Sequence, residues 1–292
     1  MKLELAGNQV RNVQSLAELH EARAAFNGNH REHSAIFRGQ RDGWSLSTSL
    51  ERACLDTDEE VTLARRREAA TIREFKRRFH HYAVHVPPLD HALPWLALMQ
   101  HHGAPTRLLD WTYSIDVAAY FAVEYAWKHP RGDAAVWMMN ATWATYRTAE
   151  ALQNAGRVED AAYVMTGQKA PKDEAMFGPT FIDAAEALPC VCPVNPFMLN
   201  ERLTIQKGVF VCVGDVQRPF EENLLAMPGS DRNDYLMKLV VRSENLKGIL
   251  DELYDVNISR ATLFPGLDGF SRSLAINLGS VPHRQDYPAL GE

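Results

Sequence analysis

A chain of 292 residues, 46% hydrophobic and 23% charged, can fill one large core or two small ones. Its formal charge of −6 argues against a general polyanion binder while leaving room for a local basic patch. Four cysteines without a C-x-x-C pair point to reduced thiols, and the lack of any long apolar run points to a cytoplasmic protein with no membrane partner.

In chain order, a first helix is expected over Ser15 to Ala25, with Ser15 as its N-cap. Ser34 to Gly39 reads as a short strand that ends on a polar group. A long helix follows from about Asp58 to Val84, with the apolar stripe Ile72, Phe75, Phe79, Tyr82 and Val86. The same helix carries seven basic residues between Arg65 and Arg78, which read as a solvated face rather than a nucleic-acid surface. Pro87 and Pro88 end it. A second helix is expected over Ala92 to His102, stopped by Gly103. Thr106 to Thr112 then forms a strand, and Ser114 caps a helix through Trp127 whose buried face is Val117, Ala118, Phe121, Ala122 and Tyr125.

Ala134 to Asn140 is the next strand. Residues 141–189 are less patterned and are expected to hold two or three short helices, closed by a Pro-rich run to Pro196. Arg202 to Val213 reads as strand-like, bent at Lys207-Gly208. Tyr235 to Arg242 is a strand, and Glu244 to Tyr254 is an amphipathic helix capped by Ser243. Thr262 to Gly269 reads as a loop before a last short helix, Phe270 to Ile276. The order implies an α+β fold with a mixed β-sheet core, a mostly helical N-terminal part and helical insertions. A single domain over 1–292 is expected, with its core at about 34–276 and a variable insertion at about 141–196.

The densest chemistry lies in His101-His102-Gly103-Ala104-Pro105-Thr106-Arg107-Leu108-Leu109-Asp110-Trp111-Thr112. Strand alternation would turn Thr106, Leu108, Asp110 and Thr112 one way and Arg107, Leu109 and Trp111 the other. Two hydroxyls and a carboxylate on one face suit a ribose or a substrate hydroxyl; the same groups also suit a network that fastens the strand to the next helix. Arg38 ends an apolar strand and needs an anionic partner. That partner is either a structural carboxylate such as Asp110 or a ligand, and Gly39 permits close backbone approach to one.

Arg202, Thr204 and Gln206 would share one strand face, and Asp268 would sit on a tight turn. The histidines lack an H-E-x-x-H pattern and Cys190 with Cys192 lacks a second thiol pair, so no metal is expected. His101 is expected to be a polar contact in the site. Neither common phosphate loop nor a G-x-S-x-G elbow is present.

Several segments together resemble the FRG domain, named for its Phe-Arg-Gly signature. Here these are Phe37-Arg38-Gly39, Trp44-Ser45-Leu46, Gln100 to Thr112, Val117 to Ala122, the set Arg202, Gln206, Gly208 and Phe210, and Phe264 to Gly269. His102 departs from a more usual tyrosine, and 141–189 does not align. The resemblance extends to ADP-ribosyltransferases in layout. It implies an NAD-dependent ADP-ribosyltransferase-like enzyme with NAD as substrate, a toxin of a toxin–antitoxin or phage-defence system. Its partners would be a cognate antitoxin and an RNA, DNA or protein acceptor.

On that resemblance Arg38, Thr106, Asp110, Glu201 and Asp268 are the catalytic candidates. Arg38, Gly39, His101, Arg107, Trp111, Arg202 and Gln206 are the NAD-binding candidates. The alternative is a non-catalytic nucleotide-sensing or protein-interaction module. Convergence of Arg38, Thr106, Asp110 and Arg202 on one open cleft separates the enzyme from a closed structural network.

Overall fold

A computed structural model describes residues 9–28, 35–55, 63–83, 86–125, 132–166, 171–231 and 234–275. Seven strands form one sheet: β1 (Val10–Val13), β2 (Ala35–Gln40), β3 (Leu108–Thr112), β4 (Ala134–Asn140), β5 (Val191–Val194), β6 (Gly208–Val213) and β7 (Leu236–Val241). Their order is β1-β7-β4-β2-β3-β6-β5. The β1–β7 pair is parallel and every other pair is antiparallel. The sheet is therefore mixed, and with its helices the fold is α+β.

Both faces of the sheet are covered, which explains its unbroken apolar runs. All seven residues of β4 and all six of β6 are buried. One face packs on α1 (Leu16–Gly28), α5 (Ile115–Val123) and α10 (Leu246–Asp255), through a core that includes Leu19, Phe37, Ala118, Val136 and Ile249. The other face carries a larger core, with Ile36, Leu96, Leu109, Trp111, Trp137 and Val211. Helices α2 (Ser49–Leu55), α3 (Ala64–Arg78), α4 (Ala92–His101), α6 (Ala141–Asn154) and α7 (Val158–Thr166) contribute to it. Remaining helices are short: α8 (Glu201–Ile205), α9 (Phe220–Leu225), α11 (Arg260–Leu263) and α12 (Leu267–Ser273).

Local signals account for the ends of many elements. Ser15 Oγ accepts from Glu18 N, and Ser114 Oγ accepts from Val117 N, so both serines cap as their sequence positions imply. Gly103 ends α4 with a φ of +82°, a value that favours glycine. Several expectations are corrected. The apolar stripe of α3 stops at Phe79, because Tyr82 is 84% exposed and Val86 is exposed. Ser243 does not cap α10; it opens a 3₁₀ turn, and its backbone N–H donates to Asp133.

Arg202 to Gln206 is not strand. Asn200 Oδ1 accepts from Leu203 N and starts α8, and Lys207, at a φ of +47°, turns the chain into β6. The presumed loop 262–269 instead holds parts of α11 and α12. Within the presumed insertion, 191–194 is an edge strand of the main sheet. The expected helix start at 58–62 and the expected helix ends at Val84, Trp127 and Ile276 lie outside the described residues.

Candidate functional site

β2 pairs with β4 from Ala35 to Gln40, but with β3 at the single position Phe37 opposite Thr112. Beyond that position the two strands part. Arg38 Nη1 reaches across and donates to the Asp110 main-chain oxygen at 2.6 Å, taking the place of a ladder partner. A cleft of about 480 Å³ opens along this seam, walled by Arg38, Arg52, Asp110 and Trp111 and closed by Arg202 and Gln206 from the α8 segment.

The cleft is strongly positive at its wall. Among the described residues no carboxylate lies within ion-pairing distance of Arg38, and its Nε is buried without a partner. The salt bridge between the Arg38 and Asp110 side chains that the sequence allowed is thus absent. Burial pushes the Arg38 guanidinium down to about 10, against the pull of Asp110 and with the push of Arg52, so it is still charged at neutral pH. Arg202 is also held below its usual range, first by burial; Asp110 opposes the shift and Arg260 adds to it. Arg202 lies over the Phe264 ring, 4.7 Å from its centroid. Arg52 donates to the Ser47 carbonyl at 2.6 Å. A desolvated cation without a carboxylate is costly, and an incoming anion relieves that cost.

Asp110 supplies the carboxylate of the cleft. Gln100 Nε2 donates to its Oδ2 at 2.8 Å, and Thr106 Oγ1 donates to Gln100 Oε1 at 2.5 Å, which fixes the orientation of the amide. Ser49 Oγ in turn accepts from Thr106 N at 3.0 Å. Thr106 is therefore a buried support two bonds behind the carboxylate and does not line the cleft. Trp111 lines the cleft with a buried Nε1–H that has no partner among the described residues. Trp44, 61% exposed, places a flat ring at the same cleft.

The remaining candidates divide. Arg107 is not in the site. It is fully buried on Glu68, with Nε to Oε1 at 2.7 Å and Nη2 to Oε2, and it also donates to the Phe181 and Val213 carbonyls. Burial alone would depress it, but Glu68 more than offsets this and holds it above its usual range. Gly39 lines the cleft, yet its small size serves packing. A Cβ there would lie 1.9 Å from the Ala118 carbonyl oxygen, so glycine lets β2 lie directly on α5. Gln206 lines the cleft while its amide donates to the Leu263 carbonyl and its own carbonyl accepts from Thr112 Oγ1 at 2.7 Å, so it locks α8 in place.

His101, Glu201 and Asp268 fall outside the cleft. They line a neighbouring depression of about 610 Å³ that shares Arg202 with it. Asp268 lies in the first turn of α12 rather than on a turn tip. Sequence reasoning missed Trp44, Arg52 and Gln100 as site residues. Gln100 stood next to the His101 block, where a lone amide carries no signal of its own.

No curated protein and no solved structure compared with the chain matches it. The segments carrying Arg202, Gln206 and Asp268 lie outside the one family match. Residues 33–131, which supply β2, the Gln100–Thr106 support and the Asp110 strand, match the family model of the FRG domain, and this stretch of the chain is an FRG domain.

Proposed function

We propose that the chain is an NAD-dependent ADP-ribosyltransferase-like enzyme that acts as a toxin of a toxin–antitoxin or phage-defence system on a macromolecule. The observation that carries the reading is the convergence of Arg38, Arg202 and Asp110 on one open cleft, with the Arg38 Nε buried and without a hydrogen-bond partner among the described residues. Arginine forks match the paired oxygens of a diphosphate, and the exposed Trp44 ring suits stacking of a base or of nicotinamide.

In this reading the ribosyl–nicotinamide C–N bond breaks and its electron pair leaves with neutral nicotinamide. The positive charge that develops on the ribosyl carbon faces Asp110, oriented by Gln100. The acceptor heteroatom then bonds to that carbon, and its proton passes to Asp110 or to solvent. Glu201 and Asp268 stand in the adjacent depression, which shares Arg202 with the cleft.

Incubation with NAD labelled on the adenylate, with lysate and with purified nucleic acid, tests the reading. Transfer of label and release of nicotinamide, both lost in Arg38→Ala and Asp110→Asn of unchanged fold, support it. Well-folded protein that neither transfers label nor releases nicotinamide rules it out. Growth arrest on expression, relieved by Arg38→Ala, tests the toxin role. One observation favours the second reading, a nucleotide-sensing module: the cleft holds one carboxylate, whose Oδ2 is already engaged by Gln100. Tight NAD binding without nicotinamide release would select that module.

A further inference from the structure

A second pocket, of about 620 Å³, has a wholly different chemistry. Its wall includes Tyr113, Thr145, Tyr146, Asn195 and Phe197, and among the described residues no Asp, Glu, Lys, Arg or His lines it. Consecutive residues of the chain line it and the arginine cleft. β3 ends by giving Thr112 to the cleft, and the next residue, Tyr113, goes to the pocket; β6 begins with Gly208 in the cleft and Val209 in the pocket.

Three features define what fits. The wall is uncharged, so the bound group is uncharged. Two aromatic side chains, Tyr146 at 52% exposure and the exposed Phe197, offer open ring faces to a flat group. The Asn195 Oδ1 atom is buried without a hydrogen-bond partner among the described residues, and a group that brings a donor to it satisfies it where a lipid chain does not. An amide sets an acceptor beside a donor, and nucleobase edges present the complementary pair.

We propose that this pocket binds a single unstacked nucleobase, edge-on to Asn195 and face-on to the tyrosine and phenylalanine rings. Joined to the transferase reading, on which this step rests, the pocket makes a nucleic-acid strand the acceptor.

The test uses the full chain and reads binding by fluorescence anisotropy. Probes are a labelled single-stranded 12-mer of mixed sequence, the same backbone with abasic residues, and an acidic peptide of equal charge; free nucleosides compete. The base-bearing strand is expected to bind at least tenfold tighter than the abasic one. Tyr146→Ala, at an exposed position, and Asn195→Leu are each expected to weaken it at least fivefold while NAD binding stays unchanged. Nucleosides that compete as strongly as the strand keep the pocket but make a free nucleoside its ligand. Equal binding of base-bearing and abasic strands, preference for the peptide, or indifference to both substitutions overturns the proposal. Base-dependent binding in a chain that fails to bind NAD sinks the transferase reading and leaves the pocket; NAD turnover without base-dependent binding does the reverse.

Discussion

Arg38 and Arg107 show how the same residue type, at two places along the sheet, serves opposite ends. Arg107 forks onto Glu68 and three carbonyls, and its environment is complete without any ligand. Arg38 has a main-chain oxygen, a distant carboxylate and an orphan Nε. Removing one partner of a buried pair strands the other charge, at about 3–5 kcal/mol. Arg107→Met is therefore expected to lose that much in urea unfolding. Arg38→Met removes a desolvated charge that nothing neutralises, so it is expected to change stability by less than about 1 kcal/mol, as at sites outside the destabilising mechanisms. If Arg38→Met unfolds the chain as readily as Arg107→Met, the reading of Arg38 as a ligand-facing group fails. His101 gives a second residue-level test. Burial, then His102, then Arg202 hold its imidazole below the ordinary 6.5. The folded state then binds fewer protons than the unfolded chain, so this contribution to stability is intact above the unfolded midpoint and is lost as pH falls toward the lowered one. Proton NMR titration of Arg202→Ala should move the His101 midpoint upward; an unmoved midpoint would show that Arg202 does not act on it.

At the scale of elements, the seam depends on how closely β2 lies on α5. Gly39→Ala places a methyl on the Ala118 carbonyl and 2.6 Å from Ala122 N, both backbone atoms that cannot rotate aside. Overpacking of this kind costs about 1–3 kcal/mol, and here it must tilt β2 and with it Arg38. We expect a fall in Tm together with weaker nucleotide binding; unchanged binding would mean that Arg38 does not depend on the strand's seat. The sequence made β2, β4, α4 and α5 legible because caps, a stopping glycine and unbroken apolar runs sit at their ends. It misread 202–206 because Arg202, Thr204 and Gln206 alternate, while a five-residue helix is too short to show its own period. The capping asparagine at 200 was the signal that decided the outcome. Arg38 and Asp110, which line the cleft, stood out because each interrupts an apolar strand. Arg107 interrupts the same stretch, and nothing local distinguishes it. Its partner, Glu68, is 39 residues away on α3, and only the packed fold joins them. Gln100 and Trp44 were hidden for the same reason: their roles depend on what folds against them.

The molecule as a whole is a sheet in two unequal parts. Strands β1, β7, β4 and β2 form one part and β3, β6 and β5 the other, joined in the ladder by the single pair Phe37 and Thr112. The larger core spans both parts. The core that includes Phe37 and Val136 draws its strand residues from β1, β2, β4 and β7 alone. The arginines of the cleft flank the seam along the chain: Arg38, Arg41 and Arg52 precede β3 and Arg202 follows it. In a chain of net charge −6 they make a local field of opposite sign, which draws an anion to the seam and weakens as salt screens it. A diphosphate bound there would tie the parts together from the side where the ladder does not. Ligand at a hundred times its Kd adds about 2.7 kcal/mol if it binds only the folded chain. A rise in Tm of that origin is expected with NAD at low salt, smaller at high salt and absent in Arg38→Ala. Hydrogen exchange should slow at 37–40 and 110–112, the two lips of the seam, more than in α1 or α10. A rise in Tm that Arg38→Ala retains, or protection spread evenly over the sheet, would place the ligand elsewhere and remove the seam from the mechanism.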